Sequence, residues 1–209
     1  MYDYPINLKL KNKKIVVIGG GRVAFRKVKG LLETRANIMI VSPELCNELK
    51  NFLTEDNITW IQDIFKEEYL LGATLIFAAT SNREVNLKVF HTAEETQLVN
   101  MIDDQKCDFH VPAVMRRGKL AISISTSGAS PSLAKKIKDE LATIYDENVE
   151  EELEFLFEAR KKVLRELKLE KHRKLLLKKL IDELPICKEK RQQQFEIWLQ
   201  NLKSQEVDV

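Results

Sequence analysis

Three consecutive glycines, Gly19-Gly20-Gly21, run into Arg22-Val23-Ala24, and together they match a GxGxxA pattern. The first glycine permits a tight turn, the next lets backbone approach a pyrophosphate, and Ala24 allows a helix to pack closely on a sheet. The setting makes the pattern informative. Lys14–Ile18 before it reads as a buried β-branched strand, and residues 23–33 after it read as a helix with Val23, Val28, Leu31 and Leu32 on one face. Backbone N–H groups at such a helix start, with the positive end of its dipole, hold phosphate oxygens. The chemistry implied is dinucleotide binding.

The acidic residue that usually follows the second strand, about 20 residues on, is absent. Ser42, Pro43 and Glu44 stand there instead. Ser42 offers a hydroxyl to a ribose and Glu44 a carboxylate from the loop, so the fingerprint leaves NAD and NADP both open. Asn100-Met101-Ile102-Asp103-Asp104 puts two carboxylates at the end of a further strand, beside the crevice where open α/β sheets bind ligands. A carboxylate there is a candidate general base, or else a solvated loop charge. Thr126-Ser127-Gly128-Ala129-Ser130-Pro131 leads into a helix start, with Ser130 as N-cap and Pro131 as first helical residue. It reads either as an anion site or as an ordinary capped turn. Arg116-Arg117 is a basic pair whose default reading is a solvated turn. His91, His110 and His172 are too scattered to suggest a metal site, although His110 lies close enough to the carboxylates to reach a ligand.

The elements that must position these residues alternate up to about residue 110. Strands are expected at Lys14–Ile18, Asn37–Val41, Ile58–Ile61, 74–79 and 98–102, with helices at 23–33, 44–52 and 82–95. Strands and helices alternating at this spacing imply an α/β fold with a parallel, doubly wound Rossmann-type sheet. Beyond Pro112, residues 119–125 alternate apolar and polar, as a strand with one wet face does, and a helix follows to about Tyr145. From about Glu147 the composition shifts to Leu, Glu, Lys and Arg at helical spacing, with a break at Leu184-Pro185.

Composition sets outer limits. The 209 residues are 44% hydrophobic and 32% charged, with 34 basic and 32 acidic groups for a net charge of +2. That mixed surface argues against a nucleic-acid binder, which usually carries a clearly basic domain. No apolar run approaches the roughly 18 residues needed to span a bilayer. The first twelve residues carry no secretory h-region, and Cys46, Cys107 and Cys187 lack paired spacing, so a reduced, cytoplasmic protein is expected.

Six motifs in order resemble one family: Pro-Ile-Asn-Leu-Lys-Leu, Val-Ile-Gly-Gly-Gly-Arg-Val-Ala-Phe-Arg-Lys, Ile-Phe-Ala-Ala-Thr, Val-Asn-Met-Ile-Asp, Phe-His-Val-Pro-Ala and Ile-Ser-Thr-Ser-Gly-Ala-Ser-Pro. Across residues 4–142 the chain is similar to precorrin-2 dehydrogenases of the siroheme-synthase family. The resemblance implies NAD-dependent oxidation of precorrin-2 to sirohydrochlorin, followed in bifunctional members by insertion of ferrous iron. It implies a homodimer built from a Rossmann domain (1–112), a dimerisation segment (113–146) and a helical C-terminal domain (147–209). Asp103 takes the place of the family's general base. Cofactor contacts carry over to Arg22, Val23, Pro43 and Glu44, alongside Gly19, Gly20, Gly21 and Ser42. The substrate's eight carboxylates would meet Arg116, Arg117, Thr126, Ser127 and Gly128. Thr126 falls on the family's serine, and Ser127 replaces the first of its two glycines. At 209 residues a fused uroporphyrinogen methyltransferase is not expected, so another protein would make the substrate. Two other readings stay open: a non-catalytic NAD-sensing module, and a chelatase with an idle cofactor site.

Overall fold

The computed structural model describes residues 3–102, 107–183 and 188–207. The chain folds as two compact units, Met1–Val111 and Pro112–Val209. The first contains β1 (Lys14–Ile18), α1 (Arg22–Leu31), β2 (Asn37–Val41), α2 (Asn47–Lys50), β3 (Ile58–Ile61), β4 (Leu75–Ala78), α3 (Arg83–Thr92) and β5 (Leu98–Met101). All five strands are parallel, in the order β3-β2-β1-β4-β5. The order reverses between β1 and β4, so the crevice for a ligand opens beyond the carboxyl ends of those two strands.

Alternation along each strand divides the core. Ile15, Val17, Ile38, Ile40 and Phe77 pack on one face against Ala24 and Val28 of α1. Val16, Ile18, Ile76 and Ala78 pack on the other with Val89 of α3. Both faces are covered, which is why these strands read as unbroken apolar runs.

The helix expected over 44–52 is much shorter. Residues 43–45 stay irregular, α2 begins at Asn47, and Asn51–Thr54 tightens into a 3₁₀ turn. The reason is local: the Ser42 hydroxyl donates to the Glu44 carbonyl at 2.7 Å, taking an acceptor that a helix would use and holding the loop open. The helix expected over 82–95 runs Arg83–Thr92, with the Asn82 side chain accepting from the N–H groups of Glu84 and Val85.

The second unit opens with a hairpin, β6 (Ala113–Arg117) paired antiparallel with β7 (Leu120–Ile124). Strand β6 is a correction to the sequence reading, because Arg116 and Arg117 belong to a strand and the turn is Gly118-Lys119. Gly118 has φ +51, the positive value a two-residue II′ turn requires at its first position. Helix α4 (Pro131–Ile144) packs on the hairpin, capped by the Ser130 hydroxyl on the Leu133 N–H. Between β7 and α4, the Ala129 N–H donates to the Thr126 carbonyl at 2.9 Å, with Ser127 at φ +49 and Gly128 at φ +81. Two positive φ values make this a type I′ turn, which favours Gly, Asn or Asp over serine. Relief of the left-handed strain, roughly 1–2 kcal/mol, exceeds the extra freedom a glycine gains on unfolding. Ser127→Gly is therefore expected to raise stability by about 0.5–1 kcal/mol, read from a urea midpoint.

Helices α5 (Asn148–Glu166), α6 (Glu170–Asp182) and α7 (Lys188–Val207) complete the unit. Their core is Ala159, Val163, Leu167, Leu176, Leu180, Phe195 and Leu199. The Glu206 carboxylate accepts from the N–H groups of Lys168 and Leu169 at 2.7 and 3.0 Å and meets His172 Nδ1 at 3.0 Å, tying the end of α7 to the start of α6. The expected break at Leu184-Pro185 lies outside the described residues.

Candidate functional site

The glycine turn is shaped by what surrounds it. Gly19 has φ +122, and a Cβ there would lie 2.4 Å from the Ala79 carbonyl oxygen. At Gly20 a Cβ would stand 1.9 Å from the Glu44 carbonyl oxygen and 2.6 Å from the Ser42 hydroxyl. The loop after β2 therefore crosses directly over Gly20, and the Cys46 N–H fastens it there by donating to the Gly20 carbonyl at 2.8 Å. Gly21 differs, because a Cβ there would meet nothing within 4 Å. Gly21 is the N-cap of α1, which has no side-chain cap and no acidic residue in its first turn. An uncapped helix start beside an open glycine suits an anionic group that the protein itself does not supply.

This turn lines a cleft of about 620 Å³, together with Ser42, Pro43, Glu44, Asp63 and the loop Thr80-Ser81-Asn82. A dinucleotide fits such a site: a backbone cradle at the switch point for the pyrophosphate, with polar loops on both sides for the rest. Gly19, Gly20, Gly21, Ser42, Pro43 and Glu44, grouped from the sequence, share this one cleft, and Arg22 and Val23 open the adjoining helix. Ser42 stands differently from its expected ribose-facing role. It is buried, its hydroxyl donates into its own loop, and its carbonyl accepts from Trp60 Nε1 at 2.9 Å. Pro43 and Glu44 are exposed.

Two features escape a reading of the sequence. On the far wall, buried Asn86 accepts from both the N–H and the hydroxyl of Thr80, at 3.1 and 2.7 Å, and donates to the Thr80 carbonyl at 3.0 Å. One side chain thereby holds the loop after β4. Its signal was a polar residue between Val85 and Val89, where the helix periodicity calls for an apolar one. The other is Asp63, beyond β3. Its carboxylate accepts from Lys66 Nζ and the Tyr69 hydroxyl, both at 2.5 Å, and from the Ile64 N–H at 2.8 Å. The Lys66 hydrogen bond, then those of Tyr69 and Ile64, lower its pKa from 3.8 to about 2. A carboxyl lowered on folding adds stability above its unfolded value and loses it as the pH falls through its folded value. Asp63→Asn should therefore be less stable than the wild type at neutral pH. Their urea midpoints should converge as the pH drops from 3.8 to about 2.

At the outer edge of the sheet, the N–H groups of Leu98 and Ile102 turn inward to β4, leaving Val99 facing outward. Asp108 meets it twice: its N–H donates to the Val99 carbonyl at 3.0 Å, and its carboxylate accepts from the Val99 N–H at 2.8 Å. Asn100, buried at the same strand end, donates to the Phe109 carbonyl at 2.8 Å. Asp103, the candidate base, lies outside the described residues.

The candidate substrate residues belong to the second unit and do not form one cluster along its hairpin. Arg116 and Arg117 stand at the turn end, whereas Thr126, Ser127 and Gly128 follow the far end of β7. Thr126 stands five positions beyond Ala121, the partner of Arg116, which is roughly 17 Å along an extended chain.

Known proteins match over most of the chain. A family described as "Putative NAD(P)-binding" matches residues 6–113, and one described as "Sirohaem biosynthesis protein central" matches residues 117–143. The precorrin-2 dehydrogenase of Bacillus subtilis (strain 168) is 34% identical over 159 residues, covering 76% of this chain and 98% of that protein. That of Priestia megaterium is 36% identical, covering 86% of this chain and 90% of its own length. The siroheme synthase of Pseudoalteromonas translucida (strain TAC 125) is 38% identical over 71% of this chain, and the match spans only 32% of that longer protein. The solved structure of SirC, a precorrin-2 dehydrogenase, superposes with a TM-score of 0.81 at 32% identity, over 95% of this chain and 100% of that one. With its glycine cradle, its strand order and these relatives in agreement, the chain belongs to the precorrin-2 dehydrogenase family.

Proposed function

We propose that this protein oxidises precorrin-2 to sirohydrochlorin with NAD, in siroheme biosynthesis. The observation that carries this reading is the glycine cradle, open at Gly21 and closed over Gly20, in a chain that spans almost the full length of a precorrin-2 dehydrogenase. NAD, when bound, supplies the hydride acceptor. Gly19, Gly20 and Gly21 with the first turn of α1 hold its pyrophosphate. Pro43 and Glu44 flank its ribose, and Ser42 and Asn86 shape the two walls. Asp103 removes the proton that accompanies the departing hydride. Arg116 and Arg117 at one end of the hairpin and Thr126 to Gly128 at the other meet carboxylates of the substrate. A macrocycle carrying eight of them presents charge on several sides, which suits a divided set.

The test is to incubate the purified protein with precorrin-2 and NAD and to follow absorbance for NADH and for the tetrapyrrole. One NADH per substrate oxidised is expected, and a parallel arm with ferrous iron reads whether metal insertion follows. NAD binding with no turnover of the tetrapyrrole would favour a nucleotide-sensing module instead.

We propose further that the protein is a cytoplasmic homodimer joined through its second unit. Supporting this, the hairpin has only two strands, which are marginal alone, and α4 leaves Leu133 and Ile144 exposed at 48% and 69%. Cys46 is a free thiol, as suits a reducing compartment. Light scattering at micromolar concentration distinguishes one chain from two.

A further inference from the structure

The far end of the cleft carries a carboxylate that the proposed chemistry leaves without a task. The glycine turn follows β1, and β2 and then β3 lie to one side of it in the sheet. In this class of fold the adenosine ribose sits at the end of the second strand, so the base beyond it falls toward the third. The loops after β2 and β3 are fastened to each other there. Trp60 Nε1 donates to the Ser42 carbonyl at 2.9 Å, and Gln62 Nε2 donates to the Pro43 carbonyl at 3.2 Å. Pro43, Asp63, Ile64 and Phe65 all line the cleft.

This end suits a flat ring with a hydrogen-bond donor on its edge. Pro43 and Ile64 are both exposed and offer apolar surface to a ring face. Beside them Asp63 keeps 28% of its side-chain surface exposed, so its carboxylate can be reached from the cleft. An ionised carboxylate only accepts hydrogen bonds and has about four acceptor sites. Lys66 Nζ and the Tyr69 hydroxyl occupy two of them at Oδ2, and the Ile64 N–H takes one at Oδ1. Those bonds fix the direction of the group and hold it ionised, with its pKa lowered to about 2. Oδ1 is left with room for one further donor among the described residues.

We infer that Asp63 is the base-reading residue of the cofactor site: its carboxylate accepts a hydrogen bond from the exocyclic amine of adenine and disfavours a base with a carbonyl at that position. This rests on the reading of the cleft as the NAD site and is independent of the tetrapyrrole chemistry. Two acceptors set face to face repel, so the selection comes from the direction of the hydrogen bond. The acid missing after β2 is thus answered by one after β3, acting on the base instead of the ribose.

Calorimetric titration tests this by comparing NAD with nicotinamide hypoxanthine dinucleotide, in which a carbonyl replaces the amine. The full chain is used as wild type, Asp63→Asn and Asp63→Ala. Wild type should bind NAD ~10- to 100-fold more tightly than the hypoxanthine dinucleotide. In Asp63→Asn the amide can turn either its oxygen or its NH₂ to the base, so the preference should shrink to about threefold or less. Asp63→Ala should be equally unselective.

The ratio of affinities is the readout, because Asp63 also holds Lys66, Tyr69 and its own loop. A purely structural role would weaken both dinucleotides alike and leave the wild-type preference in the variants. That result, or a wild type that binds the two equally, would overturn the inference while the NAD site stands. A wild type that binds neither would overturn the cofactor reading and take the inference with it. Should Asp63→Ala fail to fold, Asp63→Asn keeps an oxygen for the Ile64 N–H and supplies the ratio by itself.

Discussion

Asp103→Ala is expected to lower the rate of NADH formation from precorrin-2 by ~10²- to 10⁴-fold, the range for removal of a positioned general base. NAD affinity should stay at its wild-type value, because the cradle is built from the ends of β1 and β2 while Asp103 follows β5. Asp104→Ala is the control that makes the result specific. The neighbouring carboxylate has a similar charge and sequence position, so a general electrostatic effect would appear in both variants. A base acting through geometry appears in one. Loss of activity in Asp104→Ala with normal turnover in Asp103→Ala would move the role by one residue. Equal, small losses in both would point to a base elsewhere.

Replacing the second and third glycines by alanine should separate the architecture of the turn from its chemistry. At Gly20 the added methyl would lie 1.9 Å from the Glu44 carbonyl oxygen, which accepts from the Ser42 hydroxyl in a loop that the Cys46 N–H fastens to the Gly20 carbonyl. The β2 loop must move, and overpacking of this kind costs about 1–3 kcal/mol. Gly20→Ala is expected to lose both stability and NAD affinity, the latter by ~100-fold, because the walls of the cleft shift together. At Gly21 the methyl meets no protein atom within 4 Å. Gly21→Ala should keep the wild-type melting temperature and still bind NAD ~10- to 100-fold more weakly, since the methyl takes space needed by a pyrophosphate held by backbone. Calorimetric titration and thermal melts on both variants give the full pattern. Undiminished NAD affinity in Gly21→Ala would remove the pyrophosphate from this turn.

The sheet was legible because its strands are buried on both faces. Ile-Val-Val-Ile and Ile-Met-Ile-Val are continuous β-branched or apolar runs, and glycine or proline ends each one. Ser130 was legible as a cap residue with Pro131 opening its helix, whereas Asn82, expected as the first residue of its helix, is the cap before it. Strand β6 was hidden because Arg116 and Arg117 look like a solvated turn until Leu120 and Ala121 are seen opposite them. Long arginine stems lie along a strand as readily as in a loop. The short α2 was hidden by one hydroxyl, since nothing in Ser42-Pro43-Glu44 announces that the serine will bond its own loop rather than a ligand. Asp63 belongs to the cleft through register alone: Val41 pairs with Ile61, which brings the residues after β3 beside those after β2. Spacing along a chain does not disclose such neighbours across strands.

Asp108 also has a consequence for the margin of the sheet. A strand at the margin of a parallel sheet presents unpaired amide and carbonyl groups, a template on which another chain can polymerise. On β5 both outward groups of Val99 are already taken, one by the backbone and one by the carboxylate of Asp108. A strand arriving from another molecule would have to displace a charged side chain before making its first ladder bond there. The same residue therefore guards the nascent protein against edge-to-edge aggregation, and its loss would show in the soluble yield of freshly made protein.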